Sequence, residues 1–315
     1  AALQQCEVFI NNQDTRLDVK QYVKRLCYIA NIFRYEETQA GRQCEFCQAG
    51  VELMGAKEPM ADAEVLALAI TSLQAAGLTD FTVSVGHAAF LKGLLEEAKL
   101  SEEKKEEVKE LVLAHNAVGL EGLVKSLKLK PELKDLFSSF FFLQGHVKML
   151  KDLTKVIKNK QSLAALKNLL DIYALAKAYG VEKYLTFDLS LIRNFDYYTG
   201  MVFEAYTPNI GFNICGGGRY DTMMKAFGQN APATGFAMGI DRIILARRRL
   251  GTITKESSWD YFVAWKKSKQ KEALVQAAKL RAKGKTVKVA THELKKADAQ
   301  IRAKENNCRT LLFLE

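Results

Sequence analysis

The sequence predicts an α+β fold: an antiparallel sheet with flanking helices, broken by a helical insertion and followed by a small C-terminal α/β domain. Three observations carry this expectation. First, three short β-type runs rich in aromatic and apolar residues lie between about 197 and 239, separated by glycines, as adjacent antiparallel strands are. Second, the chain from about 88 to 183 reads as nearly all helix, with Pro131 its one proline, and strand-like segments flank it on both sides. Third, strand and helix signals alternate as βαβαβ after a linker marked by Arg247-Arg-Arg249, Gly251 and Ser257-Ser258. The expected boundaries are therefore a core over 1–252, with its insertion about 88–183, and a small domain over 258–315.

Length and composition agree with a soluble two-part chain. The 315 residues, 48% of them hydrophobic, can bury a large core. No run of about eighteen apolar residues occurs, so no membrane span is expected. The start, Ala1-Ala-Leu-Gln-Gln-Cys6, has neither a basic nor an apolar leader segment, and it lacks an initiator Met, so the chain is read as incomplete at that end. The six cysteines are scattered and a chain this long needs no disulfide framework, which implies reduced thiols and a cytoplasmic setting. The net charge of +10 is concentrated at the end: residues 251–315 carry fifteen Lys and Arg against seven Asp and Glu. Such a basic module suits a nucleic acid or an acidic protein face, although lysine-rich helices are more often plain solvated surface.

In chain order, Cys27 to Phe33 is strand-like and Glu45 to Met54 alternates as a second strand, which makes a hairpin with a polar loop. Alternation places Gln48 and Glu52 on one face. Cys44-x-x-Cys47 has no second Cys or Cys/His pair at finger spacing and is not read as a metal or redox pair. Glu64 to Ala76 is a helix ended by Gly77, and Phe81 to Gly86 a strand. Helices follow over Phe90–Lys99, Glu102–His115, Leu120–Lys128, Glu132–Phe140, Val147–Lys158 and Leu163–Gly180. None of the four histidines has ligand-like spacing, and no Ser, His and Asp cluster suggests a hydrolase; His87, directly after a strand and a glycine, is the one to watch. The C-terminal domain reads as strand Tyr261–Trp265, helix Gln270–Ala282, strand Thr286–Ala290, helix Ala297–Glu305 and strand Thr310–Leu314.

The chemistry concentrates between Leu191 and Arg242. Gly216, Gly217 and Gly218 weaken any strand that holds them, so they mark a sharp bend or a place where something approaches the backbone closely. Arg193, Arg219 and Arg242 stand among them, and guanidinium forks suit carboxylate or phosphate. The plain alternative is a glycine-rich hairpin with surface arginines.

The order Arg193-x-x-Asp-Tyr-Tyr-Thr-Gly-x-Val-Phe-Glu, then Gly-Gly-Gly-Arg-Tyr-Asp, then Gly-Phe-Ala-Met-Gly-Ile-Asp-Arg resembles the histidyl-tRNA synthetase family of the class II aminoacyl-tRNA synthetase fold. The hairpin with Phe33-Arg34-x-Glu and Gln48-x-Gly-x-Glu52 resembles that family's second motif. The family has two branches. One is the aminoacylating synthetase, in which the resemblance makes Arg34, Arg193 and Arg242 the residues that neutralise phosphate charge, with ATP and Mg as its only expected cofactors. The other is a non-aminoacylating paralogue, the regulatory subunit of ATP phosphoribosyltransferase. The helical insertion without zinc-type ligands, the shortened C-terminal domain and Cys44, where synthetases often carry arginine, resemble the second branch more. That resemblance implies no catalytic residue, no cofactor and no metal. It also implies a histidine and anion site built from Arg34, Gln48, Glu52, Arg193, Tyr197, Tyr198, Gly216, Gly217, Gly218 and Arg242. The implied partners are L-histidine and a short catalytic subunit that joins ATP to phosphoribosyl pyrophosphate, with this chain a homodimer inside a larger hetero-oligomer and tRNA an unlikely ligand. Between Phe9 and Cys27 nothing matches the family's first, dimer-forming motif or its Arg-Pro-Asp/Glu-x-Thr segment. A free-standing nucleic-acid module is disfavoured, because no aromatic-plus-basic stacking platform is present.

Overall fold

The computed structural model describes residues 7–8, 23–35, 44–192, 197–208, 210–227, 231–252 and 259–315. The chain forms two compact units, Ala1–Leu250 and Gly251–Glu315.

In the first unit, strands β1 (Glu7–Val8), β2 (Lys24–Phe33) and β3 (Glu45–Met54) are followed by helix α1 (Pro59–Ala75) and β4 (Thr82–His87). Pro59 opens α1, where its missing N–H costs nothing, and Gly77 leaves the helix end at φ +83°, a value that favours glycine. The insertion then runs through α2 (Ala88–Glu97), α3 (Glu102–Leu113), α4 (Ala117–Ser126), α5 (Pro131–Ser138), the two-residue β5 (Gln144–Gly145), α6 (Val147–Val156) and α7 (Lys160–Ala178). Side chains start several of these helices: Ser101, Asn116 and Asn159 each accept a backbone N–H of the first turn. The chain returns to the sheet through β6 (Leu185–Asp188), β7 (Met201–Tyr206), β8 (Cys215–Arg219) and β9 (Ala233–Gly239), and closes with α8 (Ile240–Arg249).

These strands make one nine-stranded sheet in the order β1-β2-β3-β9-β8-β7-β4-β6-β5. The run β2-β3-β9-β8-β7-β4 is antiparallel throughout, as the glycine-separated runs require. The predicted antiparallel sheet with flanking helices is the fold observed, with two parallel pairings at its margins: β1 with β2, and β4 with β6. For β4 and β6 the cause is the insertion, a connection long enough to carry the chain back before it re-enters the sheet. Helix α1 covers one face of the sheet, and its residues Val65, Leu66, Ile70 and Leu73 share a core with Val51, Leu53, Phe203, Phe236 and the insertion's Leu94, Leu166 and Leu169.

The second unit is a three-stranded parallel sheet in the order β11-β10-β12, built from β10 (Trp259–Trp265), β11 (Val287–Val289) and β12 (Cys308–Leu314) with helices α9 (Gln270–Ala282) and α10 (Lys296–Glu305). It has its own core around Phe262, Val263, Trp265, Ala277 and Ala299. No helix among the described residues is long and apolar enough to cross a membrane.

Candidate functional site

Cross-strand register decides which side chains share a face of the large sheet, because directly opposed residues point the same way. Gln48 lies opposite Gly239, Gly50 opposite Ala237 and Glu52 opposite Gly235. One strand further, Gly235 lies opposite Gly218 and Ala237 opposite Gly216. Gly216 in turn opposes Glu204. One face therefore carries Gln48, Glu52 and Glu204 over a bed of Gly50, Gly235, Ala237, Gly239, Gly216 and Gly218. The other face carries Val51, Leu53, Phe236, Met238, Cys215 and Phe203, all buried.

The bed is glycine because side chains of the chain itself lie on it. A Cβ at Gly50 would overlap the Tyr28 ring, one at Gly235 the Glu52 carboxylate, one at Gly218 would come 2.9 Å from Tyr198 Cδ1, and one at Gly239 would come 3.1 Å from Arg242 Cδ. Four polar side chains thus lie flat over four glycines and are held where the sheet puts them. The expected bed of Gly216, Gly217 and Gly218 needs a correction: Gly217 belongs to the opposite face by alternation, and a Cβ there would meet the Phe236 backbone, 2.7 Å away.

The polar groups on this face form two linked sets. In the first, Tyr220 donates its hydroxyl to Glu52, and Gln48 donates its amide to the Tyr28 hydroxyl. Tyr197 stacks on Tyr220 with ring centroids 5.3 Å apart and meets Tyr198 edge-on at 4.8 Å. Burial pushes the Glu52 carboxyl up to about 7, with the Tyr220 hydrogen bond pulling it back. Burial also raises the Tyr220 and Tyr28 hydroxyls, and the neighbouring Glu52 charge adds to both shifts. In the second set, Arg242 donates to the Asn213 carbonyl at 2.7 Å and to its side-chain oxygen at 2.6 Å, and lies over the Phe212 ring at 4.9 Å. Asn213 donates to Glu204, which also accepts from Tyr206.

Chemically, the first set is a half-buried carboxyl ringed by aromatic rings and hydroxyls. A cation beside Glu52 would draw its carboxyl down and ionise it, so the site suits an ammonium with a flat group nearby. The second set fixes a guanidinium that can pair an anion.

The structure brings together Gln48, Glu52, Tyr197, Tyr198, Gly216, Gly218 and Arg242 from the sequence-derived set. Arg34 is exposed, with its guanidinium 5.9 Å from the Phe46 ring centroid, and its charge reaches Tyr28. Arg193 lies outside the described residues. Arg219 is structural: its side chain is on the α1 side of the sheet, where Nε donates to both Asp62 oxygens at 3.0 Å and Nη1 to the Ala56 carbonyl at 3.0 Å. His87 is structural as well. It caps α2 by accepting from Ala89 at 3.2 Å, and burial lowers its pKa to about 4, so it stays neutral. Cys44 is exposed and Cys47 half-buried, and no group of three or more His, Cys, Asp or Glu side chains among the described residues could hold a metal ion.

Sequence reasoning missed Tyr28, Tyr220, Asn213 and Glu204 as site residues. Tyr28 was within reach: pairing the hairpin so that Cys27 opposes Val51 sets Tyr28 beside Gly50, midway between Gln48 and Glu52. Asn213 lies in an irregular segment and gave no periodic signal.

Comparison with known proteins gives the chain's family. The family model for histidyl-tRNA synthetase matches residues 12–243. An ATP phosphoribosyltransferase regulatory subunit from Halothermothrix orenii is 42% identical over 262 residues, which cover 83% of this chain and 62% of that protein. A protein of the same name from Desulforamulus reducens is 38% identical over 291 residues, 92% of this chain and 73% of the relative. The chain thus spans less than two thirds of the first relative's length. Among solved structures, the Bacillus halodurans protein described as an ATP phosphoribosyltransferase regulatory subunit/histidyl-tRNA synthetase superposes with a TM-score of 0.79 at 30% identity, over 96% of this chain and 76% of that one. The chain belongs to the family of ATP phosphoribosyltransferase regulatory subunits, within the histidyl-tRNA synthetase-like class II fold.

Proposed function

We propose that this chain is a regulatory, non-aminoacylating subunit of ATP phosphoribosyltransferase in the first step of histidine biosynthesis. In this reading it binds L-histidine, works in the cytoplasm, and as a homodimer supports a separate short catalytic subunit within a larger hetero-oligomer. The observation that carries the reading is the 291-residue alignment to a relative of that name, which is longer than the whole first unit and so takes in part of the second. The site's chemistry supports the ligand. The histidine ammonium would sit beside Glu52 and ionise it, the imidazole would lie among Tyr28, Tyr198 and Tyr220, and Arg242 would offer its charge to the carboxylate. Such a ligand controls a partner only through a difference in affinity between two states of the assembly.

The competing reading is an active histidyl-tRNA synthetase, favoured by Arg242 standing on the same face as Glu52 and by Arg34 close enough for its charge to reach Tyr28. In that mechanism positioning and electrostatics would do the work as the histidine carboxylate attacks ATP. Histidine-dependent exchange of pyrophosphate into ATP separates the two. The regulatory reading expects no exchange by the isolated chain, together with histidine binding by calorimetry that weakens by about 1–3 kcal/mol in Glu52→Ala, the range for a charged partner left unpaired. Robust exchange would overturn it, and unchanged histidine affinity in the variant would reject the site.

A further inference from the structure

Three of the tyrosines around Glu52 do not stand on strands. The ladder between β7 and β8 runs from Ala205 opposite Cys215 to Val202 opposite Gly218. Tyr197 and Tyr198 precede β7 and Tyr220 follows β8, so the regular pairing that fixes Gln48 and Glu52 stops short of all three. Their arrangement is still a defined one. Tyr197 lies on Tyr220 with 19° between the ring planes, and Tyr198 rests over Gly218. Beyond the ladder, other bonds have to hold the two segments against each other.

Thr199 supplies them with both its backbone and its side chain. Its N–H donates to the Arg219 carbonyl at 2.8 Å, and its hydroxyl oxygen accepts from the Asp221 N–H at 3.0 Å. These two contacts fall on either side of Tyr220. Branching at Cβ leaves the Thr199 side chain few rotamers, so the acceptor stays where the backbone sets it. Gly200 allows the close approach: it is buried, and a Cβ there would come 2.8 Å from Arg219 Cδ. On the far side, the Tyr220 N–H donates to the Ala233 carbonyl at 2.8 Å and the Asp221 carboxylate accepts from the Ala233 N–H at 3.0 Å, which ties the segment to β9. The Tyr220 ring is thus carried by a segment clamped at both edges, with Thr199 as the clamp on the Tyr197–Tyr198 side.

We propose that Thr199 is a positioning residue of the ligand site: its hydroxyl joins the Tyr197–Tyr198 segment to Asp221 and so sets the tyrosine wall beside Glu52. The inference rests on the histidine site proposed above. A contact group is only as well placed as the bonds that support it, so loss of this one hydroxyl should reach the ligand through the rings.

The test compares the full-length parent with Thr199→Val, which keeps the side chain's shape and leaves the Asp221 N–H without its acceptor, and with Thr199→Ser, which restores the hydroxyl. Calorimetry with L-histidine should show affinity weakened at least about fivefold in the valine variant, the scale of one lost hydrogen bond, and recovered in the serine variant. Without any ligand, NMR of chain labelled at its tyrosine rings should show the Tyr197 and Tyr220 signals, assigned through Tyr197→Phe and Tyr220→Phe, displaced in Thr199→Val and returned in Thr199→Ser. Ring signals that do not move in the valine variant overturn the proposal. So does unchanged histidine affinity in that variant, or a serine variant as weak as the valine one, which would mean that the hydroxyl is not the working group. A parent chain that binds no histidine overturns the reading of the ligand, and the ring signals then decide the clamp by themselves.

Discussion

Replacing Glu52 by glutamine should make the folded chain more stable at neutral and alkaline pH while removing the charge that a ligand ammonium needs. Burial moves the Glu52 carboxyl from its ordinary 4.5 to about 7. Below about pH 4.5 the group is protonated in both the folded and the unfolded chain, and its burial adds no pH dependence. Between those two values the unfolded chain releases the proton and the folded chain keeps it, so stability falls as pH rises, by about 1.4 kcal/mol per pH unit at most. Above about 7 both forms are ionised and the loss levels off at about 3 kcal/mol. Glutamine is neutral throughout and keeps an oxygen that can accept the Tyr220 hydroxyl. The unfolding free energy of E52Q relative to the parent should therefore be nearly unchanged at about pH 4 and favour the variant by about 2–3 kcal/mol at about pH 8. Urea titrations at pH steps across that range measure it directly. A difference that is constant with pH, or a variant less stable at pH 8, would refute the claim that Glu52 is a desolvated carboxyl held for a cationic partner.

Three further outcomes follow from the same geometry. Asp62→Ala should cost about 3 kcal/mol in chemical unfolding, because the buried Arg219 guanidinium loses the carboxylate that accepts from its Nε and keeps the Asp221 carboxylate, at 3.2 Å from Nη1; a loss below about 1 kcal/mol would show that the pair does not tie α1 to the sheet. Gly235→Ala should weaken histidine binding at least as much as Glu52→Ala does, since the added Cβ overlaps the Glu52 carboxylate and lies 2.5 Å from the Val51 carbonyl; unchanged affinity by calorimetry would mean Glu52 is not needed where it stands. The basic C-terminal unit should bind tRNA weakly and without preference, with affinity falling as salt rises; in a competition assay, a clear preference for histidine tRNA over an unrelated tRNA would move the reading to the synthetase.

Much of the candidate site could be seen in the sequence because its signals are local. Alternation in Glu45 to Met54 places Gln48 and Glu52 on one face without any tertiary information. The glycines of 216–218 and 235–239 announce a backbone that tolerates close neighbours, and the βαβαβ alternation after residue 258 announces a small α/β unit. Helix periodicity outlined the insertion within a few residues at each end.

What the sequence by itself determined, then, is the run of elements, their two faces and the identity of the polar groups on the hairpin. Only the tertiary structure decided that the hairpin lies beside the glycine-rich strands. Setting β9 against β3 is a pairing between segments far apart in the chain, and it brings Gly235 under Glu52 and the Tyr220 hydroxyl to its carboxylate. The pairing of β9 with β8 turned the triple glycine from a continuous floor into alternating faces and sent Arg219 to the core side, where Asp62 waits on α1. The physical reason is that periodicity reports only what repeats along one element. The desolvation that raises Glu52 depends on what neighbouring strands place around it, and no single stretch of sequence contains that arrangement.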